Sequence, residues 1–79
     1  DDSKEDQMEY EPLVLTINRD DERALKFAEE VVERCPEVRV SKATDFGPPE
    51  LCHGIGRYIW PEGKIRQFLN KRFNLEPPM

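Results

Sequence analysis

The sequence predicts a small α/β fold: a two-layer βαβ unit with a short third extended segment and a C-terminal helix. Three observations indicate it: an apolar stretch at 12–18, helical periodicity over 22–35 and alternation over 37–43. A strand, a helix of about four turns and a second strand form a parallel, right-handed βαβ unit. An α+β arrangement is the alternative. The chain of 79 residues has room for one domain with a small core.

The first strand is predicted over 12–18, where the sequence reads PLVLTIN. Leu13, Leu15 and Ile17 share one face, because successive strand residues point to opposite sides. Pro12 suits the first position of a strand, where its missing N–H costs no ladder hydrogen bond. The strand is expected to be covered on at least one face.

The first helix is predicted over ERALKFAEEVVERC, with Asn18 or Asp20 as candidate caps at its start. Its apolar residues recur at steps of three and four, which gives one broad apolar stripe. These residues are Ala24, Leu25, Phe27, Ala28, Val31, Val32 and Cys35. Pro36 disfavours helical backbone at the preceding residue, so the helix is expected to end at Cys35.

The second strand is predicted over 37–43, where Val38 and Val40 alternate with polar residues. Residues 44–56, TDFGPPELCHGIG, are rich in Gly and Pro and are interpreted as a connecting loop. A binding loop is the sharper alternative, because functional residues concentrate on loops. Leu51 and Ile55 are expected to turn toward the core. The peptide bond between Pro48 and Pro49 can be cis or trans, and the sequence favours neither isomer.

The C-terminal part is predicted to hold the third extended segment over 57–60 and the second helix over 61–73. Pro61 suits the first turn of a helix. Ile65, Phe68, Leu69 and Phe73 then recur at helical spacing. Asn74 is expected to end the helix.

The predicted organisation is an acidic disordered lead-in over 1–11, a single α/β domain over 12–76 and a C-terminal tail over 77–79. The lead-in has six acidic residues and one basic residue, so it offers little apolar surface to bury. Charge is unevenly distributed along the whole chain. Residues 1–50 hold 15 acidic and 7 basic side chains, and residues 51–79 hold 2 acidic and 5 basic side chains. The linker-like lead-in suggests a domain of a larger protein.

The sequence disfavours several classes of protein. Long apolar runs are missing, as is an N-terminal targeting pattern. Cys35 and Cys52 are too few for a disulfide-rich secreted domain, which favours an intracellular location, cytoplasmic or nuclear. With His53 they lack the spacing of a zinc site. No catalytic constellation, metal site or cofactor motif is found, so the chain is predicted not to be an enzyme. A thiol-redox enzyme is the remaining catalytic alternative.

The segment from Arg57 to Phe73 interleaves basic and aromatic residues and is the predicted binding region. Its candidate residues are Arg57, Tyr58, Trp60, Lys64, Arg66, Lys71 and Arg72. Tyr, Trp and Arg are favoured anchors of protein interfaces. The leading hypothesis is a non-catalytic protein-interaction module that binds through the Gly/Pro loop and the basic-aromatic helix. A partner with an acidic surface suits this region, and self-association is a further possibility.

An RNA-associated module is the alternative. The strand–helix–strand beginning resembles small α/β domains that bind tRNA anticodons, or the first half of an RNA-recognition sheet. Basic side chains next to aromatic ones bind single-stranded nucleic acid by phosphate contact and stacking. The candidate strands lack an aromatic run of the RNA-recognition type, and the net charge of −5 disfavours non-specific binding of phosphate.

Overall fold

The computed structural model describes residues 12–79 and consists of a four-stranded mixed sheet and two helices. In chain order the elements are β1 (Val14–Asn18), α1 (Glu22–Arg34), β2 (Arg39–Ala43), β3 (Glu50–Cys52), β4 (Tyr58–Ile59) and α2 (Glu62–Phe73). The strand order in the sheet is β2-β1-β3-β4. The predicted α/β class is therefore confirmed. The predicted acidic lead-in over 1–11 lies outside the described residues.

The βαβ unit forms as the sequence predicts. Strands β1 and β2 are parallel, with Leu15 beside Val40 and Ile17 beside Lys42. Leu15 and Ile17 are fully buried, and α1 lies over this side of the sheet. The crossover helix thus covers the face that the alternation of β1 assigned to the core.

Strand β3 is the main difference from the sequence prediction, which interpreted 44–56 as a loop. Glu50–Cys52 pairs antiparallel with β1, and Leu51 lies between Leu15 and Ile59. Leu51 is fully buried as expected. A strand of three residues is too short to show a sequence period, so its formation depends on pairing with the neighbouring strands. The predicted third extended segment becomes the edge strand β4.

The residue that caps the N-terminus of α1 differs from the predicted ones. Asp21 caps α1, because its Oδ1 accepts hydrogen bonds from the N–H groups of Arg23 at 3.0 Å and Ala24 at 3.3 Å. The prediction that Asn18 or Asp20 caps this helix was wrong. The Asn18 side chain instead accepts from the Asp20 N–H and donates to the Phe46 carbonyl.

The second helix ends where the sequence indicated. Asn74 follows α2 in the left-handed conformation, with φ of 51°. The peptide bond between Pro48 and Pro49 is trans, while those preceding Pro61 and Pro77 are cis.

The core lies between the two helices and one face of the sheet. Its fully buried large side chains are Leu15, Ile17, Leu51, Ile65, Leu69, Val31 and Cys35. Phe68 and Phe73 pack at its margin, as does Met79 from the predicted C-terminal tail. The Met79 N–H also donates to the Asn70 side chain at 2.7 Å. Between residues 12 and 79, neither helix has the length and apolarity that crossing a membrane requires.

Candidate functional site

The opposite face of the sheet is not covered by either helix. The strand register places Arg39, Val14, Cys52 and Tyr58 in one row across all four strands. Neighbouring strands lie about 4.8 Å apart, so this row spans the width of the sheet. We call this side, together with the β3–β4 turn and Trp60, the open face. It combines apolar, aromatic and basic side chains in one continuous surface.

Three large apolar side chains on or beside the open face are unusually exposed. Ile55 is 99% exposed, Tyr58 50% and Trp60 53%. They lie within six residues of sequence, in the turn between β3 and β4 and in the chain that leaves β4. Exposed apolar side chains that cluster in this way mark interaction sites. The expectation that Ile55 turns toward the core was wrong.

The turn geometry explains why Ile55 projects from the sheet. The His53 N–H donates to the Arg57 carbonyl at 3.0 Å, and the Arg57 N–H donates to the Gly54 carbonyl at 3.0 Å. Gly56 has φ of 71°, a conformation that side chains with a Cβ adopt at a cost. The glycine thus closes a tight turn that leaves Ile55 at its tip. Turn closure here overrides the hydrophobicity of Ile55.

The base of this turn is anchored while its tip is free. The His53 ring lies against the Phe68 ring of α2, with 4.8 Å between ring centroids. The Cys52 thiol donates to the Gly54 carbonyl at 3.2 Å. A rigid base that carries an exposed apolar tip loses little conformational entropy on binding, which favours affinity.

A shallow cleft of about 450 Å³ lies beside the turn on the open face. Its walls are Pro12, Val14, Cys52, Gly54, Ile55, Gly56 and Tyr58. A smaller cleft of about 260 Å³ lies beside Trp60 and is lined also by Phe46, Gly47, Pro48 and Glu50. Both parts of the Gly/Pro segment 44–56 therefore border the open face.

Arg66 has an intramolecular role away from the open face. Its guanidinium donates to both carboxylate oxygens of Glu30 on α1, at 2.7 and 3.2 Å, and to Glu62 at 3.1 Å. It also lies over the Phe27 ring, 4.9 Å from the centroid. The hydrogen bond from Arg66 lowers the pKa of Glu30 and the same bond raises the pKa of Arg66. This cluster joins α1 to α2.

The predicted binding residues therefore fall into two groups. Arg57, Tyr58 and Trp60 lie together on or next to the open face. Lys64, Arg66, Lys71 and Arg72 belong to α2, in the layer that covers the other side of the sheet. Sequence spacing placed the two groups in one segment, but the sheet separates them.

Sequence reasoning missed Val14, Arg39, Cys52 and Ile55 as members of the open face. Only Ile55 carried a usable signal, because an aliphatic residue between two glycines is expected at a turn. The others depend on strand pairing across 25 or more positions of sequence.

The two cysteines differ in environment. Both are free thiols; Cys35 is buried in the core and Cys52 is partly exposed on the open face. Burial raises the pKa of the Cys35 thiol. Over residues 12–79, three or more His, Cys, Asp or Glu side chains are nowhere grouped so that they could hold a metal ion.

The chain matches no family model, and no curated protein and no solved structure matches it significantly. Its own geometry is therefore the basis for any functional proposal.

Proposed function

We propose that this chain is a non-catalytic protein-binding module that contacts its partner through the open face. The supporting observation is the cluster of Ile55, Tyr58 and Trp60, three large apolar side chains that are exposed beside a sheet face that neither helix covers. Aromatic anchors in the centre of a patch contribute most of the affinity in protein interfaces. An intracellular location is part of the proposal and is supported by the two unpaired thiols.

The charges at this surface favour a partner with acidic residues. Arg57 is exposed beside the apolar cluster, and Arg39 is exposed on the same face at the opposite edge of the sheet, while Glu50 of β3 also belongs to this face. A partner that places carboxylates near the two arginines and an apolar side chain in the cleft of about 450 Å³ would complement both features. The basic residues of α2 are not needed for this mode of binding.

Photo-crosslinking tests the surface directly. A photoreactive amino acid replaces Ile55, whose side chain is fully exposed, and a matched chain carries it at the exposed Gln67 of α2. In cell extract we expect protein adducts from position 55 that disappear when Trp60→Ala is added. Adducts from both positions alike, or adducts from 55 that Trp60→Ala leaves unchanged, would contradict the proposal.

RNA binding is the second candidate, because Tyr58 and Trp60 are alternate residues and Arg57 precedes Tyr58. Stacked bases would change the fluorescence of Trp60, the single tryptophan of the chain. Titration with short single-stranded RNA at low salt separates the two candidates. A salt-sensitive change favours RNA, and an unchanged spectrum leaves the protein-binding proposal standing.

A further inference from the structure

The outer edge of β2 carries a second surface, at the opposite edge of the sheet from Ile55, Tyr58 and Trp60. Strand β2 lies at one end of the sheet order, and among residues 12–79 no strand pairs with its outer side. The Arg39 N–H donates to the Leu13 carbonyl at 2.8 Å, and the Ala43 carbonyl accepts from Arg19 at 2.9 Å. In a strand, every second residue directs its N–H and C=O groups to the same neighbouring strand. Arg39 and Ala43 direct theirs to β1, so the N–H and C=O groups of Val40 and Lys42 point to the outer edge.

An apolar groove runs along this edge between β2 and α1. It has a volume of about 590 Å³ and is lined by Leu25, Ala28, Val32 and Val40. Val32 is 39% exposed, although Val31 beside it is fully buried. The groove and the outward backbone groups of β2 together form the surface that an added strand and helix would cover.

The charges of the groove are complementary to each other. Glu29 and Glu33 of α1 and Lys42 of β2 line it. The ion pairs of the described chain involve Arg66 alone, so Lys42 has no such partner among residues 12–79. A second copy that runs in the opposite direction would bring its own Glu29 and Glu33 toward this Lys42, and the reverse.

We propose that two copies of this chain associate through β2 and form one continuous eight-stranded sheet. An antiparallel register centred on Ser41 pairs Val40 of each copy with Lys42 of the other and satisfies all the outward backbone groups of both residues. This register also avoids opposing the two Lys42 side chains.

The helix positions suit this arrangement. Helix α1 packs on both β1 and β2 and more extensively on β1, so its axis lies above this strand pair and nearer to β1. One further strand spacing of about 4.8 Å between the paired β2 strands places the two α1 helices side by side on the same face, with axes about 10–14 Å apart, a separation that the side chains lining the groove can bridge. The exposed Val32 and partly buried Leu25 of each copy then face the other helix. Both open faces lie on the same side of the extended sheet.

Sedimentation velocity across a concentration series tests the proposal on the full chain of 79 residues. We expect a species of twice 9.3 kDa that forms reversibly. Val32→Asp places negative charges between the two α1 helices, and Lys42→Glu places a negative charge near Glu29 and Glu33 of the other copy. Each variant is therefore expected to raise the dimer dissociation constant at least about tenfold. Circular dichroism confirms that the variants stay folded.

A charge exchange supplies the decisive comparison. Lys42→Glu combined with Glu29→Lys restores the opposite charges across the two-fold axis, so we expect most of the lost association to return. Trp60→Ala lies on the open face and is expected to leave association unchanged. A monomer at every concentration overturns the proposal and leaves the edge to a strand from another protein. A dimer that persists in Val32→Asp, or that Trp60→Ala dissociates, overturns it as well.

Discussion

The removal of Arg66 should destabilise the fold, because its guanidinium joins the two helices. We consider Arg66→Ala, which deletes the bonds to Glu30 and Glu62 and the contact with Phe27. The Arg66 side chain is 26% exposed and that of Glu30 is 41% exposed, so solvent screens their attraction. The effect is therefore well below that of a buried ion pair.

The magnitude follows from the three contacts. We assign about 0.5–1 kcal/mol to the screened Glu30 pair, about 0.3–0.5 to the Glu62 pair at i,i+4 and about 0.5–1 to the ring contact. Arg66→Ala should then lower the free energy of unfolding by about 1.3–2.5 kcal/mol. With a urea m-value of about 1 kcal/mol/M, the unfolding midpoint falls by about 2 M.

Urea unfolding followed by circular dichroism measures this difference, and Lys64→Ala is the matched control. Lys64 is exposed on the same helix; its N–H donates to the Pro61 carbonyl, but its side chain makes no hydrogen bond or ion pair within residues 12–79, so Lys64→Ala deletes no such contact. We expect its substitution to change stability by less than about 0.5 kcal/mol. A double-mutant cycle with Glu30→Gln should show coupling. Equal effects of Arg66→Ala and Lys64→Ala, or strict additivity with Glu30→Gln, would refute the reasoning.

The same pair gives the stability a pH dependence. The hydrogen bond from Arg66 holds the folded pKa of Glu30 below its ordinary value of 4.5. The unfolded chain therefore binds more protons than the folded chain in this range. The contribution is fully present above pH 4.5 and is lost as the pH falls through the folded pKa. Arg66→Ala should flatten this part of the profile.

Three other predictions concern the core, the helix cap and the thiols. Leu69→Ala empties a fully buried position and should lower the free energy of unfolding by about 2–5 kcal/mol, measured by urea unfolding. Asp21→Ala removes the cap of α1 and should cost about 1 kcal/mol, whereas Asp20→Ala should cost much less. In native alkylation followed by mass spectrometry, Cys52 should react well before Cys35, which is buried; equal rates would contradict the assigned burial.

The regular elements could be predicted from sequence because each carries its own periodic signal. The spacing of Ala24, Phe27, Ala28 and Val31 identified the buried stripe of α1, and all four are buried. The strand β3 could not be predicted, since its three residues show no period and its stability depends on pairing with Leu15 and Ile59.

The candidate site was predictable only in part. Arg57, Tyr58 and Trp60 stood out by residue type, and the structure gathers them on or beside the open face. Arg66 has the same residue type but forms ion pairs between the helices. Sequence spacing does not reveal this difference, because Glu30 lies 36 positions away.

By itself, the sequence determined the βαβ unit, the core face of each helix and the uneven distribution of charge. These properties follow from local periodicity and composition, which require no knowledge of distant partners. The tertiary structure alone decided that β3 joins β1 and that neither helix covers the second face of the sheet. It also placed the Ile55 side chain in solvent and the Arg66 side chain in ion pairs with Glu30 and Glu62. The exposure of Ile55 follows from the local turn between His53 and Arg57. The other outcomes depend on contacts between residues far apart in the chain, which a local pattern does not encode.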